Sequence, residues 1–196
     1  MTSIRRLAMA LSGIALVLSS ATAATLDVSG VKVEDIAIVK GTPLTLNGAG
    51  VRYKAVFKVY VAALYLEKKV TTTEEASALT GKKRISVTML RDIDANELGK
   101  LFTKGITDNA PKGDFSKLIP GLTKTGEVFS AIKTLKTGDD FTIEYIPGSG
   151  TTFSVKGVQQ LTPVVEPEYF NAVMRIWLGP QPADWKLKDA LLGKPA

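Results

Sequence analysis

The chain has neither cysteine nor histidine. Without cysteine there is no disulfide, no thiol nucleophile and no thiolate metal site, so packing alone must hold the fold. Without histidine, Ser-His-Asp and Cys-His catalysis are excluded, as are zinc and copper sites built on imidazole. The acid–base groups left are carboxylates, Lys, Tyr and Arg. Long apolar runs are scarce as well. The strongly apolar stretch at 7–18 is shorter than the roughly 20 residues a spanning helix needs, and it gives way to Ser19, Ser20 and Thr22. Basic clusters are also missing. Lys54, Lys68, Lys82, Lys104, Lys124 and Lys156 are scattered along the chain, which reads as a solvated surface and gives no support to nucleic-acid binding.

What is present at the start is an export signal. Arg5 and Arg6 form a positive region, residues 7–18 an apolar one, and Ala21-Thr22-Ala23 a small-residue cleavage site. Residues 1–23 are therefore expected to be a cleavable signal peptide and residues 24–196 one domain, with no membrane span after cleavage. Ile4 and Leu7-Ala8 match a twin-arginine signal poorly, so the general secretory route is expected, toward the bacterial periplasm. Removing Arg5 and Arg6 takes the formal charge from +6 to +4. The remaining length can bury a substantial core.

The N-terminal half reads as strands: 28–38, 44–46, a long run over 51–66, and the β-branched stretch 84–90. Asp94 and Glu97 then form a capping pair ahead of Leu98, Leu101, Phe102 and Ile106, which share one helical face. Leu118, Leu122, Phe129 and Ile132 repeat that pattern. Phe141, Ile143 and Tyr145 alternate with polar residues, as do Phe153 and Val155 beyond Gly148 and Gly150, which is a hairpin signature. A further helix carries Phe170, Val173, Met174 and Trp177 between Pro167 and Gly179-Pro180, and a short one spans 184–192. This order predicts an α+β fold, an antiparallel sheet with a helical layer over one face.

Strict alternation from Val51 places Arg52, Lys54, Lys58 and Tyr60 on one face. Arg52 and Tyr60 would lie about 26 Å apart in one straight strand, so they converge only if a hairpin or bulge intervenes. The alternative is that both are solvated surface groups. Asn47-Gly48-Ala49-Gly50 lacks the third glycine and the Lys-Ser/Thr of a phosphate loop, and reads as a flexible turn entering a strand. Asp92 and Asp94 read as strand exit and helix cap, and Asp139-Asp140 as a turn, so no metal site is assigned. Trp177, Met174 and Phe170 read as helix core, with a lipid-pocket floor as the other possibility. No cofactor is expected.

GAGVR at 48–52 followed by FKVYVAALYLE at 57–67 resembles the signature of the chalcone isomerase superfamily, and FNAVMRIWLGPQPADWKLKDALLG at 170–193 resembles the ending of its chalcone-isomerase-like members. The resemblance implies an open-faced β-sandwich with an apolar cleft between sheet and helices. It also implies that Arg52 is the family arginine, which steadies the phenolate in isomerases and holds the carboxylate in fatty-acid-binding members. Tyr60 stands where isomerases carry threonine and matches the tyrosine of the binding members. Leu98, Gly105 and Ile176 align near the positions where isomerases place a tyrosine, an asparagine and a Ser/Thr. The expectation is a non-catalytic binder of a fatty acid or similar amphipathic carboxylate, with Arg52 and Tyr60 as ligand residues. Two alternatives stand beside it: an intramolecular lyase acting on a chalcone-like enone through Arg52 and Tyr60, and a cell-envelope interaction module with a vestigial cleft. Oligomeric state, pathway, and whether Lys54 and Lys58 reach the cleft are open at this stage.

Overall fold

The computed structural model describes residues 24–111, 113 and 115–194, so residues 1–23, expected to be a signal peptide, lie outside the described residues. Its centre is a seven-stranded antiparallel sheet built from β3 (Ile36–Val39), β4 (Thr42–Lys54), β5 (Phe57–Leu66), β6 (Lys83–Met89), β9 (Asp140–Ile146), β10 (Gly150–Val155) and β11 (Val158–Gln159). The spatial order is β11-β10-β9-β6-β5-β4-β3. A hairpin of β1 (Thr25–Val28) and β2 (Val31–Glu34) and a minimal pair of β7 (Ile93–Asp94) and β8 (Thr134–Leu135) stand apart from it. The helices are α1 (Thr73–Ala78), α2 (Ala95–Asn109), α3 (Phe115–Ala131), α4 (Pro167–Leu178) and α5 (Trp185–Leu191).

The helical layer packs as the patterning predicts. Leu98, Phe102 and Ile106 of α2 and Phe170, Val173 and Trp177 of α4 share one core cluster with Tyr60, Ala62, Leu64 and Leu66 of β5. Asp94 caps α2 by accepting the Glu97 N–H at 3.0 Å, and Pro167 opens α4. The opposite sheet face is covered too. Val61, Ala63 and Tyr65 pack with Val33, Val39 and Leu44 in a second cluster. Burial of β5 on both faces explains why its sequence is nearly continuous in apolar residues.

Three sequence expectations are corrected. The stretch 28–38 is not one strand, because Ser29 and Gly30 at φ 54° and 83° turn the chain between β1 and β2, and Asp35 separates β2 from β3. The run 51–66 is two strands, β4 and β5, turning at Ala55-Val56 with Ala55 at φ 54°. Asn47-Gly48-Ala49-Gly50 is no turn and lies inside β4. A Cβ on Gly48 would fall on the Ala190 carbonyl, and one on Gly50 would stand 2.7 Å from the Ala190 Cβ, so these glycines admit α5 against the strand. α1 was not anticipated, although Thr72 and Glu75 form a full capping box at its head.

Lys83 is buried beside this core with no carboxylate partner among the described residues. Its Nζ donates to Asn171 Oδ1 at 3.2 Å and lies 5.9 Å from the centre of the Phe170 ring. Burial holds its ammonium down at about 8, below the ordinary 10.5. Between those values the unfolded chain keeps a proton that the folded chain has released, so stability contributed here rises with pH. Relative to Lys83→Met, wild type should gain up to about 1.4 kcal/mol per pH unit from pH 8 to 10.5. Urea unfolding of both proteins at several pH values checks this, and a parallel pH dependence of the two would refute it.

Candidate functional site

The turn at Ala55-Val56 brings Arg52 and Tyr60 directly opposite one another in the β4–β5 ladder, with a register shift between Arg52 and Tyr53. Cross-strand partners at such positions stand about 5 Å apart, not 26 Å. The Arg52 guanidinium carbon lies 5.7 Å from the centre of the Tyr60 ring. Arg52 Nε is buried without a partner, and the side chain makes no ion pair or hydrogen bond with any described residue. Lys54 and Lys58 do not join them. Lys54 faces Glu97 at 3.7 Å, Lys58 donates to Ser29 Oγ at 3.0 Å, and neither lines the cavity beside Arg52.

Tyr60 is 4% exposed, and its phenol oxygen accepts the Trp177 indole N–H at 2.9 Å. Burial pushes the phenol up to about 12, against the opposing pull of Arg52 and the Trp177 bond. Tyr60 is therefore neutral across the physiological range. Its own hydrogen, which no described acceptor takes, is available to a guest. Trp177, read from the sequence as helix core with a lipid-pocket floor as the other possibility, is buried and lines the cavity, and its bond to Tyr60 is what the sequence reading missed. The usable signal was chemical: a buried indole N–H needs an acceptor, and the phenols of Tyr60 and Tyr65 are the groups within the β5 run that can supply one.

Arg52 and Tyr60 open onto a cavity of about 410 Å³ between the sheet, α2 and α4. Its inner wall is apolar, formed by Leu98, Phe102, Phe141 and Ile176. Gly105 also lines it, where a Cβ would meet the Ile176 side chain at 3.0 Å. Leu98, Gly105 and Ile176 thus stand on the cavity wall, where none of their side chains offers a hydrogen-bond donor. Lys104, Asp108, Gln181 and Trp185 stand nearer the mouth, and the Lys104 ammonium pairs with Asp108 at 2.7 Å. Among the described residues, no group of three or more Asp or Glu is gathered as a metal site. A guanidinium and a neutral phenol at one end of an apolar cavity present fork-shaped donors to a planar anion. They do not present the second, opposed donor that would stabilise charge developing on a ketone oxygen.

Comparison with known proteins agrees with this architecture. A search of curated protein sequences gives no significant match. Among solved structures, a fatty-acid binding protein of Arabidopsis thaliana is similar in fold, with a TM-score of 0.58 at 12% identity, covering 83% of this chain and 92% of that one. The family model described as chalcone isomerase-like matches residues 24–193, which include the β4–β5 hairpin, all the cavity-lining residues and α5. On that match, the chain belongs to the chalcone isomerase-like family.

Proposed function

We propose that this protein is an exported bacterial binder of a fatty acid or a similar amphipathic carboxylate, and that it carries out no turnover. The observation that supports it most is Arg52 at the polar end of an apolar-walled cavity with no ion-pair or hydrogen-bond partner among the described residues. Arg52 is partly buried, and its Nε is cut off from water with no acceptor among the described residues; a carboxylate guest would satisfy it with charge-assisted bonds. Tyr60 supplies a third donor, already oriented because Trp177 holds its oxygen. Each buried methylene of a tail adds about 0.8 kcal/mol, so an acyl chain offsets the loss of ligand freedom. The fatty-acid binding protein of similar fold lends this reading support.

Native mass spectrometry of the purified protein, with lipid extraction and analysis, tests the proposal. Co-purifying fatty acids are expected. A protein that is empty and takes up no added fatty acid would sink it. Chalcone cyclisation should not exceed the solution rate, because Leu98, Gly105 and Ile176 offer a developing enolate no side-chain donor opposite Arg52 and Tyr60. Absorbance decay with several chalcones measures this, and a saturable rate abolished by Arg52→Ala would establish the isomerase instead. For export, the mature N-terminus should be Ala24 or within a residue or two of it, read by N-terminal sequencing of protein from the cell envelope. An intact Met1 there would contradict the proposal.

A further inference from the structure

The tip of the β4–β5 hairpin and the start of α5 form an apolar surface beside the cavity mouth. Val56 is 82% exposed, Phe57 60%, Trp185 61% and Tyr53 38%. The two segments are tied together, since the Tyr53 N–H donates to Asp184 Oδ2 at 2.9 Å and Asp184 is the N-cap of α5, next to Trp185. Soluble proteins seldom leave several large apolar groups together in water unless something covers them.

The charges around this surface indicate what covers it. The Arg91 guanidinium lies 5.5 Å from the Phe57 ring centre, and the Lys188 ammonium lies 5.2 Å from that of Trp185. Lys58 and Lys186 flank the same two segments and are exposed. None of these four cations has a carboxylate partner among the described residues, although the partly buried Lys188 donates to the Gly179 carbonyl at 2.9 Å and Lys58 to Ser29 Oγ at 3.0 Å. Of the nearby acids, Glu97 faces Lys54 and Asp108 pairs with Lys104, while Asp92 and Asp184 accept hydrogen bonds and keep their charge, so the four cations outnumber the two acids left without a cation. The surface is thus apolar at its centre and cationic at its rim. That is the pattern of a face that sinks aromatic and aliphatic side chains to the depth of lipid headgroups while its cations meet anionic phosphates.

We propose that this face docks on anionic phospholipid membranes, with Val56, Phe57 and Trp185 entering the headgroup layer and Lys58, Arg91, Lys186 and Lys188 contacting phosphate. Trp185 is both exposed and part of the cavity wall, so docking places the cavity mouth at the bilayer surface. Exchange of an amphipathic carboxylate there rests on the function proposed above; the docking itself does not.

Vesicle co-sedimentation tests the docking. Vesicles of phosphatidylcholine alone are compared with phosphatidylcholine mixed with phosphatidylglycerol, and the protein is recovered with the same N-terminus in every variant so that residues 1–23, where retained, contribute equally. Wild type is expected to bind the anionic vesicles at least about tenfold more tightly than the neutral ones, with loss at high salt. Val56→Asp with Phe57→Asp, and separately Lys58→Glu with Lys186→Glu, should each weaken that binding about tenfold or more. Their thermal unfolding and their titration with free octanoate should match wild type. Wild type that stays in the supernatant with both vesicle types, or variants that sediment as wild type does, would overturn the docking. So would a concentration-dependent dimer abolished by Val56→Asp in the absence of vesicle binding. Vesicle binding in a protein that takes up no octanoate or longer acid would leave the docking standing and remove the fatty-acid reading alone.

Discussion

Arg52→Ala is expected to weaken fatty-acid binding by about 2–4 kcal/mol and to erase any preference for the acid over its methyl ester. The size follows from what the substitution leaves behind. A carboxylate at this end of the cavity would face Leu98, Phe102 and Ile176, with the Tyr60 phenol left to donate to it and Lys104 and Gln181 nearer the mouth. The desolvation cost of the anion would then go largely uncompensated. Tyr60→Phe removes one neutral donor and should cost only about 0.5–1.5 kcal/mol of affinity. It also orphans the Trp177 indole N–H, so part of its effect should appear as lowered stability. Isothermal titration of wild type and both variants with an acid and its ester, alongside thermal unfolding, separates these effects. Equal affinity for acid and ester in wild type would rule out Arg52 as the carboxylate clamp.

Asn47→Leu should destabilise the fold by about 2–5 kcal/mol, although Asn47 lies outside the cavity. Its side chain is buried, with Nδ2 donating to the Leu191 carbonyl at 2.7 Å and Oδ1 accepting the Val70 N–H at 2.7 Å. Leucine has a similar volume and can serve neither group, so two buried backbone groups lose their partners. Those bonds join the end of α5 and the segment before α1 to β4, and α5 carries Trp185 at the cavity mouth. Chemical denaturation measures the loss. A change within about 0.5 kcal/mol, the range of ordinary surface substitutions, would show that water replaces both bonds.

Much of this protein was legible in its sequence because much of it is decided by near neighbours. The Asp94 cap, Pro167 at the head of α4, the alternation of β9 and β10 and the apolar faces of α2 and α4 all depend on residues within a few positions. They are sufficient to specify an α+β fold with helices over an antiparallel sheet. The pairing of Arg52 with Tyr60 was legible only conditionally. Their shared face followed from alternation, but the turn that joins them sits at Ala55-Val56, where no Gly, Pro, Asn or Asp marks it and Ala55 takes φ 54° without a local reason. The strand pairing on either side imposes that turn.

The remaining features come from contacts between distant parts of the chain. Gly48 and Gly50 read as a loop until α5 is laid against them, through a segment that Asn47 reaches 144 positions away. Trp177 read as core until Tyr60, 117 positions earlier, proved to be its hydrogen-bond acceptor. The sequence by itself determined most of the helices, the C-terminal hairpin, their apolar faces and the residue types available for chemistry, above all the absence of thiol and imidazole. Only the tertiary structure decided where the long run breaks, which glycines are contacts, and that Arg52 stands in a cavity with no ion-pair or hydrogen-bond partner among the described residues. Propensity, capping and periodicity act over one or two turns of chain, whereas close approach, desolvation and polar satisfaction exist only once distant segments have met.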